Sequence, residues 1–319
     1  MRLHRQGWRA LGLAGGAGVA VLIGAAARAD PAPAAMNAPA TTNAPAAAPS
    51  GPSLWFPVGE ELYYRVRWGI FPVGKCRVAS AWVDHAGRRC IAIRYRVLTN
   101  ALFSRIYPMD DYAESVVDPE TFLPLRFEFI KARHSELAHD VVTFDHARHV
   151  ARLDSRWPRA SRDVPIAGDT RDIVSFMYWM RRADLPCGTD ATYSVMINDG
   201  LVDLRVTTAG ATNLLHHPVF GNVPCLQIQP EADLRGLLVE KGHVTLWETR
   251  DARRLAPFLT ARGPLANVRV TLCHVAGPGT DAWTDLAKNR QGEAQCAVSP
   301  DVEAQLLRLP KLPPDEPEK

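Results

Sequence analysis

The chain has 319 residues, 47% of them hydrophobic and 22% charged, with 37 basic against 34 acidic residues and a formal net charge of +3. That length and apolar content suffice for one large core or two small ones. The near-balance of charge excludes the general basic field that gathers nucleic acid.

The N-terminus reads in three zones. A basic start (Arg2, His4, Arg5, Arg9) precedes an apolar Ala/Gly/Leu/Val stretch from Ala10 to Ala27, which ends in the small-residue exit Ala27-Arg28-Ala29. This pattern predicts a signal peptide over residues 1–29, cleaved after Ala29, and hence a periplasmic or otherwise exported protein. The stretch is dominated by Ala and Gly and falls short of the ~20 strongly apolar residues a membrane span requires. No cysteine stands near the exit to carry a lipid, so no stable membrane span is expected after processing. Loss of Arg2, Arg5, Arg9 and Arg28 with the leader turns the balance to 33 basic against 34 acidic residues, or −1.

Residues 30–53 are nearly all Pro, Ala, Asn, Thr and Ser, with too little apolar surface to offset chain entropy, and predict a solvated linker. Residues 54–287 are predicted to form a single β-rich domain, and residues 288–319, Pro- and Glu-rich toward the end, a disordered tail.

Within the domain the dominant signal is alternation with a period of two. In Leu62-Tyr63-Tyr64-Arg65-Val66-Arg67-Trp68 one face collects Leu62, Tyr64, Val66 and Trp68, while the arginines face the other way. The same pattern recurs at Ile91 to Val97, Leu125 to Phe129, Val202 to Val206 and Val268 to Leu272. Turn residues fall between the runs, at Gly69 to Gly74, Asp84 to Gly87, Asp118-Pro119, Asp145 to Arg148, Asn198 to Gly200 and Gly221-Asn222. Short alternating strands joined by such turns predict a largely antiparallel sheet.

One segment breaks this pattern. Asp169 to Arg182 predicts a helix, with Asp169 or Thr170 as cap, Asp172 near the positive end and Arg181 and Arg182 at the negative end. Ile173, Phe176, Met177 and Met180 form its apolar stripe. The expected fold is mainly β, a large twisted antiparallel sheet, curled or a partial barrel, with one principal helix packed on its concave side; two stacked sheets are the alternative.

Six cysteines (Cys76, Cys90, Cys187, Cys225, Cys273, Cys296) in an exported chain invite disulfides. Cys76 and Cys90 flank the turn at Asp84 to Arg88 with an offset of about six residues, or ~20 Å at strand rise, so these two are not expected to bridge. No Cys-x-x-Cys is present.

Catalytic signatures are sparse. No nucleophile elbow, His-Glu-x-x-His, P-loop or dinucleotide fingerprint occurs in the mature chain. His134, His139, His146 and His149 lie close in sequence, but strand geometry turns them to different sides, so no metal site is assigned. His216 and His217 look like a loop end with diverging rings. Asp110, Asp111 and Glu114 read as solvated turn residues, because adjacent carboxylates on an extended chain point apart. The cluster Arg250, Arg253 and Arg254 reads as a solvated face.

The order of features resembles the bacterial envelope family catalogued as domain-of-unknown-function 3108. The resemblance is carried by Val58-Gly59-Glu60-Glu61-Leu62-Tyr63-Tyr64 with Trp68-Gly69-Ile70 and Val73-Gly74, by Asp169 to Ser175 ahead of the Tyr178-to-Arg181 helix, and by Val244-Thr245-Leu246-Trp247 before Arg253-Arg254-Leu255-Ala256-Pro257. It spans nearly the whole domain and implies no catalytic residues. In outline the family is similar to envelope carriers whose sheet wraps a helix around lipidic cargo, an analogy of layout that does not transfer a function.

The aromatic inner face is the remaining candidate site: Tyr64, Trp68, Tyr95, Phe127, Phe176 and Met180 are the expected ligand-binding residues. The expected function is non-catalytic binding of a lipidic or other apolar small molecule within the curved sheet, with no cofactor. An envelope scaffold contacting a partner envelope protein is the second reading, and a hydrolase of an envelope polymer the third.

Overall fold

The computed structural model describes residues 54–312, apart from 101, 106–108, 134–135, 158, 183–184, 199, 232–243, 263–265, 298–299 and 311. The predicted leader and linker lie outside the described residues.

The first half of the domain is a run of consecutive antiparallel strands: β1 (Glu61–Trp68), β2 (Phe71–His85), β3 (Arg88–Thr99), β4 (Asp110–Val117), β5 (Pro124–Arg133), β6 (Glu136–Asp145), β7 (Val150–Arg156) and β8 (Arg159–Pro165). After the two-residue β9 (Arg171–Asp172) and helix α1 (Ile173–Met180), the second half continues with β10 (Asp190–Ile197), β11 (Gly200–His217), β12 (Gly221–Glu231), β13 (Val244–Thr249), β14 (Phe258–Ala261) and β15 (Val268–Ala276). The halves join where β1 pairs with β15, giving one sheet of order β8 to β1, then β15 down to β9. Its pairings are antiparallel except that of β9 with β10, which is parallel. The expected curled sheet is therefore present as one open, mixed sheet rather than two stacked ones.

Alternation sets which way each strand faces. Tyr64 pairs with Cys76, Cys76 with Val97 and Val97 with Asp111, so these four form one row across β1 to β4 on the concave side. Ile91, Ile93, Ala113 and Phe127 face the same way and pack against Ile173, Val174, Phe176 and Met180 of α1. A second cluster, including Leu62, Tyr64, Leu255, Leu259 and Leu272, continues the core under β12 to β15. The sheet rolls like a scroll, for α1 touches β3 and β4 on one side and β10 on the other, while β9 reaches β5.

The helix starts later than expected. Arg171 and Asp172 are extended and pair with Val195 and Met196 of β10, so the cap is Asp172 rather than Asp169 or Thr170. Its Oδ1 accepts from the amides of Val174 (2.8 Å) and Ser175 (2.9 Å), and Ser115 Oγ on β4 donates to its Oδ2 at 2.5 Å. Asp172 is fully buried; burial raises its pKa, while the bonds from Ser115 and Ser175 oppose the rise.

The expected disordered tail, residues 288–319, is corrected: it includes helical segments, while its end at 313–319 lies outside the described residues. Helix α2 (Leu286–Gln295) lies against β15, and α3 (Pro300–Leu306) sets Val302 and Leu306 on Leu98, on the convex face. A disulfide joins Cys273 of β15 to Cys296. Arg65 Nη1 donates to Gln295 O at 2.8 Å, and Lys75 pairs with Glu303. Periodicity gave no hint of α2, since Leu-Ala-Lys-Asn-Arg-Gln-Gly-Glu-Ala-Gln has no apolar stripe. Its buried residue is Gly292, where an added Cβ would collide with Cys273 O. Cys76 and Cys90 are both free thiols, as are Cys187 and Cys225.

Candidate functional site

Between α1 and the concave face lies a cleft in two lobes. The first, of about 90 Å³, is lined by Tyr64, Phe176 and Met180 among others, and the second, of about 110 Å³, by Tyr64, Tyr95 and Phe127 among others. Tyr64, Val78, Ile173, Met177, Leu246 and Ala256 line both, so the lobes are neighbours separated by side chains. Five of the six expected binding residues thus come together. Trp68 does not: it ends β1, half-buried opposite Phe71 and Val268, and lines neither lobe.

The polar groups on the lining are few. Arg181, Arg254 and Glu248 border the first lobe, and Asp111 and Asn198 the second. Burial raises the Tyr64 phenol, so it remains a neutral hydroxyl. Burial likewise raises the Cys76 thiol, which lies beside Tyr95. Neither is prepared as a nucleophile.

Beside the first lobe is a buried ionic clasp that period-two reading missed. Glu60 is 0% exposed. Its Oε1 accepts from Arg181 Nη1 at 2.7 Å, and its Oε2 from Arg181 Nη2 and Arg253 Nη1, both at 3.1 Å. Arg181 Nε donates to Arg253 O at 3.1 Å, Arg253 Nη2 to Pro278 O at 2.7 Å, and Arg253 also pairs with Asp281. The Tyr178 ring lies under the Arg181 guanidinium, 4.8 Å from centroid to Cζ. Burial works against the charge of Arg181, but the Glu60 carboxylate outweighs it and the pKa rises. Gly279 keeps the site open, since a Cβ there would collide with Arg253 Nη2. Arg253 is therefore buried, which corrects its reading as part of a solvated face.

The family profile described as "Protein of unknown function (DUF3108)" matches residues 63–261. The chain belongs to this family. Among curated proteins none matches it. It is similar to a solved beta-barrel-like protein of domain of unknown function DUF1849 from Brucella abortus, with a TM-score of 0.49 and 11% identity over 70% of this chain and 98% of that one. The three stretches that carried the DUF3108 resemblance meet at the clasp: Glu60 comes from the first, Arg181 from the second and Arg253 from the third.

The groups weighed for chemistry are scattered. Asp110 faces outward, 2.6 Å from Arg96, while its neighbour Asp111 faces the second lobe. Glu114 pairs with Arg94 at 2.6 Å. His139 Nε2 contacts Glu128 Oε1 at 2.6 Å, and His146 Nε2 contacts Pro124 O at 2.8 Å; His134 lies outside the described residues. Among the described residues no three His, Cys, Asp or Glu side chains gather as metal ligands. No described helix is long and apolar enough to cross a membrane.

Proposed function

We propose that this chain is an exported envelope protein that holds a lipidic or otherwise apolar molecule between the rolled sheet and α1. The observation that carries the reading is the two-lobed cleft, apolar on its walls with a few charged groups at its borders, the composition of a small-molecule site. Each lobe is smaller than the ~150 Å³ cavity that takes up benzene, so one lobe admits only a short stretch of hydrocarbon. A longer guest needs Met177, which borders both lobes and is only half-buried, to swing aside.

Export is supported by the leader pattern of residues 1–29 and by the disulfide between Cys273 and Cys296, which an oxidising compartment preserves. Native mass spectrometry of gently purified protein tests the binding. A bound lipid mass, on a chain whose intact mass begins at Asp30, is the expected result. Protein that stays unliganded after incubation with a lipid extract of the producing cells overturns the reading.

A further inference from the structure

Several of the large apolar residues left exposed gather at one end of the sheet. Ile70 (74% exposed) and Phe71 (54%) form the tip of the β1–β2 hairpin, and Leu102 (69%) stands in the connection after β3. These tips are braced. Asn100 N donates to Val73 O at 2.9 Å, Asn100 Nδ2 donates to Pro72 O at 2.6 Å, and the Phe71 and Phe103 rings lie 6.1 Å apart. Among the described residues no packing covers these two joined loops, which both turn large apolar side chains to water.

A charge pattern accompanies the patch. Arg67 and Arg269 stand directly opposite each other in the β1–β15 register, and Arg105 is exposed two residues after Phe103. Like charges placed opposite on adjacent strands repel. Arg67 spends one nitrogen on Ile70 O at 2.8 Å, and among the described residues no carboxylate forms an ion pair with Arg67, Arg105 or Arg269. Asp110, at the same end, is engaged by Arg96. An anion between the paired guanidiniums would relieve the repulsion.

We propose that this end of the sheet docks on an anionic lipid bilayer, with Ile70, Phe71 and Leu102 entering the boundary between headgroups and acyl chains and the three arginines meeting lipid phosphates. Apolar tips ringed by cations match both layers of such a surface. A second copy of the chain matches poorly, because a two-fold contact would set arginines against arginines. Val270 and Asp111, which line the second lobe, belong to the same end of their strands, so docking would bring that lobe toward the membrane.

Flotation with vesicles tests this, using the chain from Asp30 onward so that the apolar leader does not contribute. Wild type is expected to float with phosphatidylglycerol vesicles, far less with phosphatidylcholine ones, and to be stripped by about 0.5 M salt, where the screening length falls to a few ångströms. Phe71→Asp with Leu102→Asp should weaken partitioning about a hundredfold or more, from lost burial of two large side chains. Arg67→Gln with Arg269→Gln should weaken it roughly tenfold or more. All four positions are at least partly exposed, and an unchanged melting temperature checks that the fold survives. Wild type that ignores anionic vesicles overturns the proposal, and so does a double aspartate variant that floats as well as wild type. Sedimentation showing self-association, abolished by the same aspartates without any vesicle binding, assigns the patch to a second copy and also overturns it.

Discussion

Arg181 grips both oxygens of Glu60, at 2.7 and 3.1 Å, and so ties the end of α1 to a residue 121 positions earlier in the chain. Both groups are buried, and Arg253 shares the same carboxylate. Bringing such groups out of water costs several kcal/mol each, which the close geometry offsets. The arrangement fixes where the helix sits more than it adds net stability.

Removal of the shared carboxylate should be costly, because two guanidiniums would keep their burial and lose Glu60. Glu60→Ala is expected to destabilise the fold by about 3–5 kcal/mol, read from urea denaturation at constant m. A loss below about 1 kcal/mol, the scale of an exposed pair, would show that water replaces the carboxylate without penalty.

Histidine burial gives the fold a pH dependence. Burial pushes His217 from its ordinary 6.5 down to about 4, and its Nδ1 accepts from the amides of Val219 (3.2 Å) and Phe220 (3.1 Å), which a protonated nitrogen cannot do. His274 is also lowered to about 4, by burial first and by Lys75 next. Between 6.5 and 4 the unfolded chain therefore binds protons that the native one does not, so stability falls as pH drops through that window and levels off below it. Thermal melts from pH 7 to 4 should show the fall, and His217→Asn, which keeps an acceptor but does not titrate, should make it shallower.

The cross-link between Cys273 and Cys296, 23 residues apart, closes a loop that includes α2. Reduction should cost about 3 kcal/mol in the chain-entropy picture and release α2 from β15. Thiol titration of the unfolded chain should rise from the four free cysteines to all six on reduction, and hydrogen exchange should quicken in α2 before it does in β1.

Met177 is one of six residues that border both lobes of the cleft, and the one with a long unbranched side chain. Met177→Ala should enlarge the cleft and raise occupancy by an apolar probe, at a stability cost of about 2 kcal/mol for the truncated side chain. Met177→Trp should fill the cleft and abolish probe binding while the melting temperature changes little. Equal probe fluorescence in both variants would mean that the probe sits elsewhere.

Much of the fold was legible in the residues. Alternation in Leu62 to Trp68 and in Val268 to Leu272 placed both strands and their inward faces, and the stripe Ile173, Phe176, Met177 and Met180 identified α1. The clasp was half legible. Glu60 continues the even-numbered inward phase of Leu62, Tyr64 and Val66, and Arg181 lies one helical repeat beyond Met177, so both stood at buried positions. A charged residue at a buried phase asks for a partner of opposite sign, yet its identity depends on pairings far apart in sequence, such as that of Glu60 with Arg253. Helix α2 left no periodic trace, because a disulfide and a buried glycine hold it against β15 in place of an apolar face, and α3 offers only the pair Val302 and Leu306, too short a stripe to mark a helix. Trp68 shared the right alternation, in register with Val268 of β15, and still missed the cleft because it stands at the very end of β1.

The unjoined rim of the scroll bears on how anything could get inside. A cylinder stitched all the way round by backbone hydrogen bonds can widen only by tearing some of them. Here β9 reaches β5 with no ladder between them, and Ser115 of β4 donates to Asp172 across the overlap beside the apolar packing of α1 on β3 and β4. Because no backbone ladder closes the overlap, what holds the roll shut there is side-chain packing of α1 on β3 and β4 together with the Ser115–Asp172 bond, and widening the interior would cost those contacts rather than any strand pairing.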